Sequence, residues 1–258
     1  MRKTQLKQCL SSNKLTLGSW ITLAHSAIPE IMAAAGFDWL TVDMEHSAIT
    51  LDQAQTLIQV IELAGAAPLV RVSENNPVLI KRVMDAGAHG VIVPNVNTRE
   101  EAIAAVKAVR YPPVGNRGVG LGRAQGYGVS FDSYAEWLSK NSVVVVQIEH
   151  IQAVNNIEAI VSVEGVDAFF VGPYDLSASL GTPGQFDNPK MAAAMDKLHR
   201  TAKELKVTAG IHVVQPDANE VIDRINQGYR FIAFSLDTLF LSQGVEKVVA
   251  IRESFAEA

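Results

Sequence analysis

Eight short apolar runs, each followed by a stretch of helical periodicity, divide nearly the whole chain. The runs cover residues 16–22, 39–42, 68–72, 90–94, 143–148, 168–171, 207–213 and 231–235. The helical patterns cover 27–35, 51–64, 77–86, 99–109, 153–161, 189–206, 216–227 and 237–255. Runs that are apolar throughout suit parallel strands covered on both faces, and parallel neighbours need crossovers, usually helices. Eight such units is the count of a closed (β/α)8 barrel, and a chain of 258 residues is the size of one. The expectation is an α/β fold, one TIM barrel over residues 1–258. An open doubly wound sheet is the alternative, but no Gly-rich dinucleotide turn follows the first strand.

Helix punctuation agrees with these boundaries. Thr50 precedes Leu51 with Gln53 three residues on, and Thr98 precedes Arg99 with Glu101, both capping-box patterns. Pro77 and Pro216 fall where a first helical turn tolerates proline. Gly36, Gly65, Gly87 and Gly228 fall at helix ends, where a left-handed cap favours glycine. One stretch breaks the rhythm, from Tyr111-Pro112-Pro113 to about Lys140. It reads as an irregular insert, a lid or a subunit contact. Its glycines lack the lysine and helix start of a phosphate loop.

Apolar residues at 48% and charged ones at 19% support a packed core rather than disorder. A net charge of −5 gives no basic field for nucleic acid or anionic lipid. An anionic substrate would therefore depend on a few local cations. The single cysteine, Cys9, excludes a disulfide framework and a cysteine metal cluster. No apolar run approaches the roughly 18 residues of a membrane span, and residues Met1 to Leu6 lack the apolar core of a secretory signal. A soluble cytoplasmic protein is expected.

Barrel chemistry gathers at the C-terminal strand ends. Those ends carry Trp20, Asp43-Met44-Glu45-His46, Arg71, Pro94-Asn95, Gln147-Ile148-Glu149-His150, Gly172-Pro173-Tyr174-Asp175, His212, and Ser235 with Asp237. Glu149 and Asp175 follow adjacent strands, which lie about 5 Å apart, so they can share one divalent cation. Two carboxylates with open positions suit Mg²⁺, Mn²⁺ or Co²⁺. The structural alternative pairs Glu149 with an arginine and makes Asp175 a cap for the following segment. His46, beside Asp43 and Glu45, has the setting of a general base, or of a solvated loop histidine. Arg71 ends an apolar strand and needs an anion, either a substrate oxygen or a structural partner such as Asp43 or Glu45. Trp20 walls a pocket or packs the rim. His150 and His212 are weaker candidates, and His25, His89 and His199 read as peripheral or structural.

These segments together resemble the HpcH/HpaI aldolase family, class II pyruvate aldolases among the phosphoenolpyruvate/pyruvate-domain barrels. The resemblance covers nearly the whole chain. It is carried by Gly18-Ser19-Trp20, Asp43-Met44-Glu45-His46, Pro68-Leu69-Val70-Arg71, Asp85-Ala86-Gly87-Ala88, Arg117-Gly118-Val119-Gly120, Gln147-Ile148-Glu149, Gly172-Pro173-Tyr174-Asp175 and Leu236-Asp237-Thr238. It implies a lyase that cleaves a 4-hydroxy-2-oxo acid to pyruvate and an aldehyde. Glu149 and Asp175 would be metal ligands, Arg71 would contact the keto oxygen, and His46, oriented by Asp43, would be the acid/base. Gln147 and the backbone at Gly172 and Tyr174 would hold the pyruvate carboxylate, with Trp20 and Leu236 on the aldehyde side. The resemblance further implies a homo-hexamer, a trimer of dimers with swapped C-terminal helices, and Asp85 near a neighbouring subunit's site. The family usually has Gly at Met44, Ala at Tyr174 and a small residue at His150, so these positions bear on the aldehyde. The competing expectations are an oxaloacetate decarboxylase, a citrate-lyase-β-like acyl-CoA lyase, and a non-catalytic metabolite-binding barrel.

Overall fold

The computed structural model of the protein describes residues 1 and 4–256. Residues 2–3, part of the reading of the first six residues, and 257–258, with them part of the expected 1–258 barrel, lie outside the described residues. Eight parallel strands close into a barrel in chain order. They are β1 (Thr16–Ile21), β2 (Trp39–Asp43), β3 (Ala67–Arg71), β4 (Gly90–Val93), β5 (Val143–Ile148), β6 (Ala168–Val171), β7 (Thr208–Val213) and β8 (Phe231–Leu236). Every strand lies within one residue of its expected ends. Pairing of β1 with β8, Thr16 opposite Phe231, completes the ring and leaves no exposed edge.

Successive strand residues point alternately into the barrel and out toward the helices. Trp39, Leu69, Ile92, Val143, Val145, Phe170, Phe231 and Ala233 form the inner cluster. Their neighbours Leu40, Val70, Val91, Val93, Val144 and Ile232 belong to the outer one. Trp39 and Phe231 stack at 4.2 Å across the inner cluster, and Phe170 meets Phe231 edge-on. The inward set continues upward to Asp43, Arg71, Gln147 and His212, so one parity carries both the barrel filling and the polar mouth.

A helix that periodicity did not reveal, Leu6–Ser11, closes the opposite end. Leu6 and Leu10 join the inner cluster. Thr208 donates its hydroxyl to the Leu10 carbonyl at 2.7 Å, and Lys7 pairs with Asp167. The capping boxes at Thr50 and Thr98 form, and the four helix-end glycines take positive φ. Three local expectations are corrected. The patterned stretch 153–161 is two short helices, Ile151–Asn155 and Ile157–Val161. Asp217, not Pro216, sets the start of Ala218–Asn226, because its side chain accepts the Asn219 amide. The insert is not irregular throughout, since Phe131–Asn141 is a helix burying Tyr134, Trp137 and Leu138.

Nor does the insert cover this chain's own strand ends. Arg123 reaches Glu62 at 2.5 Å and the Ala86 carbonyl at 3.3 Å. Both partners lie just before β3 and β4, on the N-terminal side of the barrel. The lid expectation fails on that placement. Among the described residues no helix is long and apolar enough to cross a membrane.

Gly18 is where the barrel filling is tightest, because a Cβ there would fall 2.0 Å from the Trp39 ring. Gly18→Ala is expected to destabilise the protein by about 1–3 kcal/mol, the usual cost of overpacking. Chemical denaturation reads the loss, and adding Trp39→Leu should recover part of it. Full additivity of the two changes would contradict the steric account.

Candidate active site

Asp43 and Arg71 are register partners on β2 and β3. Arg71 donates Nε to Asp43 Oδ1 at 2.9 Å and Nη2 to Oδ2 at 2.6 Å, a two-point fork. The Arg71 guanidinium also lies 4.3 Å over the Trp20 ring. Burial alone would raise the Asp43 carboxyl pKa. The Arg71 bonds and charge, with the amides of Glu45 and His46, overcome that and hold it below the usual range. Asp43 thus also positions the next loop, accepting those amides at 3.0 and 3.3 Å.

The carboxylate nearest the His46 ring is Glu45, not Asp43, with Oε2 at 3.7 Å from Nε2. Asp43 orients His46 through the backbone. The His46 ring itself is 66% exposed and faces the cavity. Glu45 Oε2 is 3.3 Å from Arg71 Nε, yet it is buried and accepts no hydrogen bond. Burial pushes the Glu45 carboxyl up to about 7. Arg71 opposes the rise, and Glu149, Asp43 and Asp175 add to it.

Glu149 is 5% exposed at the end of β5. Its Oε1 accepts the Asn95 amide at 2.7 Å, and Gln147 Nε2 donates to its Oε2. The arginine alternative therefore does not hold. Asn95 takes φ +53, an uncommon backbone state for a residue with a side chain, and its amide meets Glu149. A Cβ on Gly172 would come within 3.0 Å of both Glu149 Cβ and Oε2, so β6 passes close by only because the residue is glycine. Asp175 stands exposed in the first turn of Pro173–Ser179, lining the same cavity. The Gly172 amide is taken by the Ile148 carbonyl at 3.1 Å. The Tyr174 and Asp175 amides, in the first turn, have no acceptor within their helix.

Trp20, His46, Arg71, Gln147, Asp175 and His212 line, with others, a cavity of about 510 Å³, and Glu149 lies behind Gln147 and Gly172. Burial holds His212 neutral, its pKa lowered to about 4 with the Arg71 charge adding, against the 3.1 Å bond to the Ser235 carbonyl. Leu236 lies beside Trp20 in the β1–β8 ladder, half-buried behind the wall. Met44 packs outward against the helix-side core. His150 is a helix cap whose Nδ1 accepts the Gln152 amide at 3.1 Å, and His25 does the same for Ala27 at 3.2 Å. His89 lies 3.5 Å from Glu62, and His199 meets Tyr229 edge-on, both away from the mouth.

The residues fit a divalent cation. Burial begins the rise of the Glu45 pKa, and the nearby charges of Glu149, Asp43 and Asp175 add to it, so carboxylates outnumber Arg71 at these strand ends. Both Glu149 oxygens retain lone pairs beyond their present bonds. Among the described residues no group of three or more His, Cys, Asp or Glu side chains makes a metal cage. Any ion would therefore rely on oxygens from water or substrate as well. Sequence reading missed the part played by Glu45, the Asn95 amide, and Phe186, Gln215, Glu220 and Arg224 on the outer wall. The i,i+4 spacing of Glu220 and Arg224 on the helix after β7 was the available signal.

The sequence model described as HpcH/HpaI aldolase/citrate lyase matches residues 16–243. The chain belongs to that family. It is 40% identical over 245 residues to a pyruvate aldolase of Rhizobium etli, covering 95% of each chain. It is 36% identical to a 5-keto-4-deoxy-D-glucarate aldolase of Citrobacter koseri, over 95% of this chain and 94% of the relative. A crystal structure of a family protein from Burkholderia cenocepacia superposes with TM-score 0.91 at 32% identity, covering 97% of this chain and all of the other.

The Glu45 shift carries a sign. Its carboxyl has a folded pKa of about 7 against an ordinary 4.5, so the folded state holds the proton longer. Without a dication, stability should fall as pH rises from about 5 to about 7 and then level off. Glu45→Gln should flatten that slope in melting temperature against pH. An unchanged slope would assign the titration to another group.

Proposed function

We propose that the protein is a divalent-metal-dependent aldolase cleaving a 4-hydroxy-2-oxo acid to pyruvate and an aldehyde. The convergence of Asp43, Glu45, Glu149 and Asp175 around Arg71 at the barrel mouth carries this reading, in a chain of the aldolase family. Glu149 and Asp175 would hold Mg²⁺, Mn²⁺ or Co²⁺, which supplies Lewis acidity toward the keto and carboxylate oxygens of the substrate.

The other residues follow from their geometry. Asp43 occupies Nε and Nη2 of Arg71, which leaves the Nη1 hydrogens for the oxygen that becomes the enolate. Gln147 and the first-turn amide of Tyr174 bind the carboxylate of the 2-oxo acid. The exposed His46 ring takes the proton of the C4 hydroxyl, the C3–C4 bond breaks, and the aldehyde leaves. The pyruvate enolate is then protonated at C3. Glu45 behind the ring favours the transient imidazolium. No Schiff-base lysine enters this scheme. Trp20, backed by Leu236, bounds the aldehyde side.

The working unit is proposed as a homo-oligomer of one-barrel subunits, a hexamer of three dimers with exchanged C-terminal helices. In support, the helix Asp237–Ala256 exposes Leu241, Val245, Val248 and Val249. Asp85, paired with Arg117 at 2.5 Å on the barrel's N-terminal side, lies away from this chain's own mouth and would approach a neighbour's site in that assembly.

Pyruvate release from a panel of 4-hydroxy-2-oxo acids tests the reading directly. EDTA should abolish the release, and Mn²⁺, Co²⁺ or Mg²⁺ should restore it. Glu149→Ala and Asp175→Ala should each lower kcat/KM by about 10³-fold or more, the scale of a lost transition-state stabiliser. His46→Ala should lower kcat by about 10²–10⁴-fold with metal affinity retained. Metal-independent turnover by the native protein would refute the scheme.

A further inference from the structure

We propose that the outer half of the cavity selects an uncharged, hydroxylated aldehyde over one carrying a second acidic group, and that Glu220 and Arg224 make the selection. This rests on the aldolase reading and goes on to name the substrate class. The cavity wall passes from Arg71 and Asp175 outward to Gln215, Glu220, Arg224 and Phe186. Arg71 and Arg224 are the arginines among its described lining residues, and no lysine joins them.

Both guanidinium charges are already matched by carboxylates, so neither is left over to balance a distal anion. Arg71 is forked onto Asp43 and lies 3.3 Å from Glu45. Arg224 donates Nη2 to Glu220 at 2.9 Å and Nη1 to the Gln227 side chain at 3.1 Å. A terminal carboxylate or sulfonate would meet Glu220 with no uncommitted cation beside it, a like-charge contact that disfavours binding. The pair is half-buried, at 36% and 30% side-chain exposure, so solvent only partly screens that repulsion.

A hydroxyl chain meets complementary groups instead. Glu220 accepts, Arg224 donates, and the Gln215 amide does both. The rings of Tyr174 and Phe186, 6.4 Å apart at 65°, offer an apolar face to the C–H side of such a chain. The exposed Tyr174 side chain supplies that face while its amide serves the pyruvate end.

A matched pair of substrates tests the proposal: a 2-oxo-3-deoxy-hexonate ending in CH₂OH, and the corresponding hexarate ending in a carboxylate. The native enzyme should prefer the hexonate in kcat/KM by roughly tenfold or more at low ionic strength, chiefly through KM, with high salt narrowing the gap. Glu220→Gln should reduce the preference by roughly tenfold through a lower KM for the hexarate. Arg224→Met, which leaves Glu220 unanswered, should widen it. Equal or better turnover of the hexarate by the native enzyme overturns the proposal, as does a preference that Glu220→Gln leaves unaltered. Cleavage of neither substrate, with metal supplied, overturns this selection, and pyruvate release from the wider panel then decides the aldolase reading separately.

Discussion

The fork between Arg71 and Asp43 fixes more of the mouth than any other contact. Asp43 is 2% exposed, so each charge is sustained by the other, and removing one partner of such a pair costs about 3–5 kcal/mol. The same carboxylate anchors the amides of Glu45 and His46, and Ser47 bonds back to the Asp43 carbonyl. One side chain therefore sets the guanidinium, the buried carboxylate beside it and the imidazole beyond. Trp20 presses on the open face of the guanidinium and keeps it flat against the barrel interior.

The acidic character of the mouth follows from how that fork is supplied. Strand register delivers one arginine, while the ends of β2, β5 and β6 deliver four carboxylates. The barrel wall cannot rearrange to neutralise them, since Gly172 already lies against Glu149 and the Asn95 backbone is committed to it. With the Glu45 carboxyl protonated, a dication balances the remaining charge of this set. Its proposed ligands are Glu149 and Asp175, the two carboxylates that form no ion pair with Arg71.

Much of the barrel was legible because each strand is an apolar run ended by polar residues and each long helix carries its own cap. The Thr50 and Thr98 boxes are local chemistry and formed where the sequence placed them. What could not be read is which apolar residue faces inward, since Val143 to Val146 look alike whether they fill the barrel or meet helices. The helix Leu6–Ser11 escaped notice because six residues hold under two turns, and its docking comes from contacts more than a hundred residues away. At the site, the strand-end rule brought Asp43, Arg71, Gln147, Glu149 and Asp175 to one mouth. It could not show that Asp43 reaches His46 through the backbone, because side-chain and amide contacts leave the same sequence spacing. Nor could it reach Glu220 and Arg224, whose place depends on how one helix leans over the opening.

Packed side chains floor the cavity and the short helix plugs the barrel beneath them, so among the described residues the mouth is its one doorway. In the proposed reaction pyruvate sits innermost, toward Gln147, and the aldehyde lies between it and solvent. Departure must then follow position: the aldehyde vacates first, and pyruvate cannot overtake it. Run backward, the same plug obliges the 2-oxo acid to enter ahead of its partner, so turn-taking here is a property of the floor rather than of the chemistry above it.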